Sequence, residues 1–173
     1  MPAEYVNESV VIDSKLEQAL QRAIVLAQTK SGVSGLARAR PFRPSDVTKF
    51  SSVVGTPGYS WTINAGPGTT TLLTFTVPTA YALVLFGFQT SGFGSLVPGG
   101  YVSVSVNNVE KQHVSAIELA RDSMIYLFDQ VLEVIQQQQL SIAVYNPTTV
   151  SQTVGLWFLG YIASTPSNLN ISE

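Results

Sequence analysis

The segment LLTFTVPTAYALVLFGF, residues 72–88, decides the fold. Its first half alternates: Leu73, Phe75 and Val77 are apolar, and Thr74 and Thr76 are polar. A period of two sends successive side chains to opposite faces, so this half is a strand with one buried face. Pro78 ends it. The second half, Ala80–Phe88, is apolar on both faces. An antiparallel sheet normally leaves one face in water, so such a strand needs a cover: the N-terminal helix, the arm or another chain.

Working outward, the same alternation returns twice. Val102, Val104 and Val106 alternate with Ser103 and Ser105, and Leu140, Ile142 and Val144 with Ser141, Ala143 and Tyr145. A second doubly apolar run spans Val154–Ile162. Breakers separate the runs: Gly66-Pro67-Gly68, Pro98-Gly99-Gly100, Asn107-Asn108 and Asn146-Pro147. Strands are predicted near 59–64, 69–77, 80–90, 100–107, 109–114, 124–136, 139–145 and 152–163. About eight antiparallel strands in this length fit an all-β, single jelly-roll barrel or sandwich. The stretch 115–139 is ambiguous, because Ile117, Ala120, Met124, Leu127, Phe128, Val131 and Ile135 also suit a helix. It is read as a short irregular or helical piece, then strand from about Gln130 to Gln136.

The residues before the strands read differently. Residues 1–12 look extended or mobile. Ser14-Lys15-Leu16-Glu17 matches a capping box. Leu16, Ala19, Leu20, Ala23, Ile24 and Ala27 follow at helical spacing, predicting an amphipathic helix over about 14–30. It either covers an open side of the barrel or docks on another subunit, with Leu16, Leu20 and Ile24 as candidate contacts. Residues 31–58 are rich in Gly and Pro and read as a linker or arm. Arg38, Arg40, Arg43 and Lys49 face one acid there, Asp46. The arm is a solvated spacer, a grip on nucleic acid or acidic lipid headgroups, or a partner for the acidic Glu110–Glu133 surface of a neighbouring subunit. The expected division is 1–58 as N-terminal extension and 59–173 as jelly-roll domain.

Charge is the unusual feature. Charged residues make up 12% of the chain, against about 25% in ordinary soluble domains. Phe50–Asn107 and Val134–Ser172 contain no Asp, Glu, Lys or Arg at all. A free monomer generally displays charge for solubility and to blunt strand edges. Interface cores are depleted in it. Neighbouring copies covering the uncharged stretches explain the pattern better than a merely polar free surface.

Several functions are disfavoured. With no cysteine, neither a disulfide framework nor a thiolate metal site can form. A histidine-rich metal centre fails because His113 is the only histidine. Asp129 and Glu133 would share a face as paired carboxylates only on a helix. No Gly-x-Ser-x-Gly elbow, phosphate loop or dinucleotide fingerprint occurs. The chain is therefore expected to be no enzyme and to need no cofactor. A net charge of −2 also argues against sequence-specific nucleic-acid binding. No basic segment followed by an apolar run opens the chain, so an intracellular origin is expected. Trp61, Trp157 and Tyr161 can stack on a sugar in a lectin-like barrel. Trp157, Leu159 and Tyr161, on one face of the last strand, make a better subunit-contact stripe.

The run from Leu72 to Phe88, the strand Leu140–Tyr145 with Asn146-Pro147, and the aromatic last strand Leu156–Ile162 resemble viral single jelly rolls. With the charge-poor, cysteine-free composition, the whole chain is similar to the small major capsid proteins of tailless, membrane-containing icosahedral bacteriophages of Thermus. That resemblance implies a single β-barrel standing upright on the shell. It also implies self-association, packing with a second, larger capsid protein, and a lipid membrane beneath. The implied location is the virion, after synthesis in the host cytoplasm. A carbohydrate- or receptor-binding jelly roll is the alternative.

Overall fold

A computed structural model of the chain describes residues 3–121 and 125–171, with side chains from Asp13 onward. Met124 and Glu173 lie outside the described residues. Each of the eight predicted strands forms. Two more precede them: β1 (Arg38–Pro41) and β2 (Ser51–Val54). The predicted eight are β3 (Ser60–Ile63), β4 (Gly68–Thr76), β5 (Ala82–Ser91), β6 (Tyr101–Val106), β7 (Val109–Ser115), β8 (Ile125–Ile135), β9 (Gln139–Asn146) and β10 (Gln152–Ser164).

They build two antiparallel sheets. The first runs β1-β10-β5-β8, with β3 also paired to β10, and the second runs β2-β4-β9-β6-β7. Counted from β3, the orders are first-eighth-third-sixth and second-seventh-fourth-fifth, the winding of a jelly roll. Alternation explains the packing. Leu73, Phe75, Val102, Val104, Leu140, Ile142 and Val144 turn inward from the second sheet and meet Leu83, Leu85, Phe88 and Phe128 of the first. The Phe88 and Phe128 rings sit edge to face, centroids 4.9 Å apart, a favoured aromatic geometry. Asn107 and Asn108 both take positive φ between β6 and β7, as a two-residue hairpin turn on a right-twisted ladder requires.

The helix differs from expectation at its start. α1 covers Ala3–Lys30, so Ser14 caps nothing; its hydroxyl instead receives Gln18 Nε2–H at 3.3 Å. No Gly or Pro interrupts residues 3–30, and helix propagates once nucleated unless something stops it. Within the chain α1 lies over β5 and β10. Ala19, Ala23 and Ala27 pack with Ala82, Val84, Phe86 and Ala163. Small side chains let the helix approach closely. The doubly apolar strands thus receive their cover from the chain's own helix.

The segment read as a linker is structural. β1 pairs with β10, Arg38 opposite Ser164. β2 pairs with β4, Ser51 opposite Thr76. Residues 38–54 therefore pass from the edge of one sheet to the edge of the other and close that flank of the sandwich. A short helix, α2 (Pro44–Val47), makes the crossing. Phe42, Val47 and Phe50 plug into the core. The Phe50 and Phe75 centroids stand 5.2 Å apart. Two short strands of four residues leave too little alternation to read from sequence.

The opposite flank is closed by α3 (Ala116–Leu119), which links β7 to β8. The ambiguous stretch is strand from Ile125, within the expected 124–136, with strand in place of the irregular or helical piece expected before Gln130. Its helical appearance has a cause. Leu85 pairs with Leu132 and Gly87 with Leu127, so residues 128–131 bulge out opposite Phe86 alone. The bulge breaks the period of two. Lys15 Nζ of α1 donates to the Phe128 carbonyl in this bulge at 2.7 Å.

Candidate interaction surfaces

The uncovered outer face of the second sheet is the broadest candidate surface. Its composition follows from register. Thr71, Ala143, Ser103 and His113 form one row across β4, β9, β6 and β7; Thr69, Tyr145, Tyr101 and Ser115 form the next. A third row joins Thr74, Ser141 and Ser105, with the Thr74 and Ser141 hydroxyls 3.0 Å apart. Charge enters only at the outermost strand β7, as Glu110 and Lys111. Up to β6 this face is hydroxyls, Ala143, Gln139 and two tyrosines.

An aromatic ladder crosses that face. Tyr145 and Tyr101 stack at 5.1 Å, and Tyr101 stacks on His113 at 4.3 Å. His113 Nδ1 lies 3.4 Å from Glu110 Oε2. Sequence reasoning left Tyr101 and Tyr145 aside. They are 44 positions apart, and only the β6–β9 register makes them neighbours.

The expected aromatic site does not assemble. Trp157 is 5% exposed, and its Nε1–H donates to the Phe42 carbonyl at 3.1 Å. Trp61 is buried, with its Nε1–H on the Leu156 carbonyl at 2.9 Å. Leu159 and Tyr161 pack under α1 together with Leu16 and Ile24, and Leu20 is half-buried. The Trp157/Leu159/Tyr161 stripe is split by an irregularity between Leu159 and Gly160 and is used within the chain. A shallow cleft of about 370 Å³ touches Trp157, with Tyr59, Gln89, Thr90, Ser91, Gly155 and Leu156 around it. Tyr59 is 59% exposed there and meets Trp157 edge to face at 6.2 Å.

The basic candidates separate into two kinds. Arg40 is structural. Its Nη1 donates to Asp46 Oδ2 at 2.9 Å and its Nε to the Leu169 carbonyl at 3.2 Å. Leu169 ends the short helix α4 (Pro166–Leu169), so Arg40 ties the crossing segment to the turn after the last strand. The Asp46 carboxylate also accepts the Arg43 backbone N–H at 2.8 Å. Arg38, Arg43 and Lys49 are exposed and make no ion pair among the described residues. Arg43 and Lys49 border a cleft of about 360 Å³ with Ser45 and Ile171.

On the acidic side, Asp129 and Glu133 lie on a strand, not on one helical face. Glu133 is held by Arg22 of α1, with Nη2 at 3.3 Å from Oε2. Hydrogen bonding to Glu133, and then the carboxylate's charge, raise the Arg22 pKa. Among the described residues no three His, Cys, Asp or Glu side chains come together as a metal site, and no helix is long and apolar enough to cross a membrane.

Two antiparallel sheets wound as a jelly roll, backed by one helix, define an all-β sandwich protein. No family model and no curated protein matches the chain. Among solved structures it is similar to an exo-β-1,3-galactanase from Phanerochaete chrysosporium, at 18% identity and TM-score 0.28, over 72% of this chain and 26% of that one. It is also similar to a family 35 carbohydrate-binding module from Clostridium thermocellum, at 15% identity and TM-score 0.23, over 73% and 86%. Likeness at this level carries no argument about function.

Proposed function

We propose that this chain is a structural, non-enzymatic virion protein: a capsid subunit that associates with itself and with a second, larger capsid protein. The observation that carries the reading is the outer face of the second sheet. Three adjacent strands, β4, β9 and β6, present Thr, Ser, Ala, Tyr and Gln139 there, and charge enters only at β7. Burying an unpaired charge costs several kcal/mol, roughly, which gives a packed face a reason to exclude it. A face built only for water has no such reason. The resemblance of the strand sequences to small capsid proteins of membrane-containing Thermus phages supports the same reading and suggests the inner membrane as a neighbour.

The test places charge on that face. The concentrated wild-type protein is expected to show assemblies by light scattering, and Ser103→Lys with Thr74→Lys is expected to abolish them while leaving the unfolding midpoint nearly unchanged. Assemblies of unchanged mass in the double variant would make this face an ordinary solvent face and sink the reading.

A second reading is a carbohydrate- or receptor-binding module. The cleft at Tyr59 and Trp157 favours it, with Gln89 and Ser91 as polar neighbours. The Tyr145–Tyr101–His113 ladder favours it less, because stacked rings turn their faces to one another and leave mainly edges for a sugar. Saturable change in tryptophan fluorescence with oligosaccharides, lost in Tyr59→Ala, would establish it over the capsid reading.

A further inference from the structure

The cleft of about 360 Å³ beside the 38–54 crossing is lined by three cations, Arg40, Arg43 and Lys49, against one carboxylate, Asp46. Two positive charges are in excess there. The cleft at Tyr59 and Trp157 has no charged residue in its lining.

The one carboxylate is already occupied. Asp46 Oδ2 accepts Arg40 Nη1–H at 2.9 Å and the Arg43 backbone N–H at 2.8 Å, and Oδ1 accepts Arg40 Nη2–H. Arg40 is occupied as well, since its Nε–H goes to the Leu169 carbonyl at 3.2 Å. The Arg43 and Lys49 side chains are exposed and make no ion pair among the described residues. Ser45, exposed between them in sequence, adds a hydroxyl to the same lining.

Both walls are held by the chain itself. One is the crossing, fixed by Asp46. The other is the turn after α4, where Asn170 takes a φ of 54° and the Ile171 N–H donates to the Pro166 carbonyl at 3.0 Å. The Arg40–Leu169 bond joins the two. Ile171 packs against the core and gives the cleft an apolar side. A site whose walls are set beforehand spends less of its binding energy on ordering.

We propose that this cleft binds a phosphate monoester, with the phosphate on Arg43, Lys49 and the Ser45 hydroxyl and the organic group against Ile171. Charge selects the ligand class. A phosphate monoester carries about −1.5 to −2 at pH 7, which matches the two free cations. A carboxylate carries a single charge and leaves one of them unmatched. The Arg43 guanidinium can give two parallel N–H bonds to two phosphate oxygens, and the Lys49 ammonium acts as a point charge. The negative charge of Asp46 is covered by Arg40, so it opposes the ligand weakly. This site goes beyond the capsid reading and stands or falls separately from it.

The test is a titration of the full-length chain with phenyl phosphate, read at backbone amides by NMR. Saturable shifts are expected at Ser45, Lys49 and Asn170. Arg43→Gln with Lys49→Gln should weaken binding roughly tenfold or more, as loss of charge-assisted hydrogen bonds does. Both changes are at exposed positions, and the same spectra report that the variant is folded. Lys111→Gln with Arg121→Gln, which removes two cations elsewhere, should change nothing. Benzoate should bind more weakly than phenyl phosphate. Co-sedimentation with phosphatidylcholine vesicles containing phosphatidic acid, lost in the Arg43/Lys49 variant, would support the proposal with a lipid headgroup as the source. Binding of phenyl phosphate without co-sedimentation would support it with a soluble molecule as the source. No saturable shift, equal binding by the Arg43/Lys49 variant, or benzoate as tight as phenyl phosphate would overturn it. So would binding seen only in Glu173→Gln, because the chain's own carboxylate would then be the occupant.

Discussion

Arg40 and Asp46 hold the crossing segment in place through a two-point guanidinium–carboxylate contact. Asp46 is 2% exposed, and Arg40 also binds the Leu169 carbonyl. Bidentate pairs of this kind fix geometry as well as charge. Removing one partner leaves the other poorly solvated. Asp46→Asn is expected to cost about 3 kcal/mol, the low end for breaking a buried pair, because Arg40 keeps some access to water. Urea unfolding measures it. A loss below 0.5 kcal/mol, roughly the scale of a neutral surface change, would mean the pair contributes geometry alone.

Trp157 belongs to the core. Trp157→Ala is expected to lower stability by about 3–5 kcal/mol, the range for large aromatic truncations. Trp157→Phe keeps most of the packing and strands the Phe42 carbonyl, for about 1 kcal/mol. Thermal unfolding of both variants separates packing from the hydrogen bond. Alanine at 157 with wild-type stability and weaker association would return this residue to a subunit contact.

Gly160 sits where β10 runs against β5. A Cβ there would fall on the Val84 carbonyl oxygen and within 2.9 Å of Leu85 Cα. Backbone cannot yield as a side-chain tip can. Gly160→Ala is expected to destabilise by at least about 2 kcal/mol, visible as a lower urea midpoint at unchanged slope.

Alkaline pH should loosen the flank that carries the crossing. Burial, then the nearby Asp46 charge, raises the Tyr81 pKa above 10.0, with Arg40 opposing. Tyr126 is raised first by burial and then by Glu118 and Asp129. A group whose folded pKa lies above its unfolded value contributes stability that is complete below the unfolded pKa and lost as pH climbs through the folded one. Stability should therefore fall above about pH 10. Tyr81→Phe should flatten that fall, after a smaller loss at neutral pH from its hydrogen bond to the Asn168 carbonyl. An equally steep fall in the Phe variant would assign the effect elsewhere.

Much of the fold is legible because half-buried strands must alternate. The pattern in β4, β6 and β9 needs no tertiary knowledge. Two kinds of feature escape it. Short edge strands such as β1 and β2 hold four residues each, and their stabilising contacts come from distant partners. Phe42, Val47 and Phe50 were the visible trace, three large apolar side chains in a segment otherwise read as solvated. The bulge at 128–131 imitates a helix because inserted residues shift the period from two toward three or four. Surfaces depend on register: the Tyr101–Tyr145 contact exists only once β6 lies beside β9. The basic residues were legible as a group, but not that Arg40 is already engaged by Asp46.

The pairing of β1 with β10 joins the first strand among the described residues to the last. Protein synthesis makes that a matter of time. At about 5–20 residues per second, Ser164 follows Arg38 by on the order of ten seconds. Until then β1 has no strand to pair with, and Phe42 and Phe50 have only part of their pocket. Contacts so distant in sequence also form slowly after release. The closing of this flank is thus a late folding event, and the newly made chain is most exposed to unwanted apolar encounters where the finished protein turns Arg38, Arg43 and Lys49 to solvent.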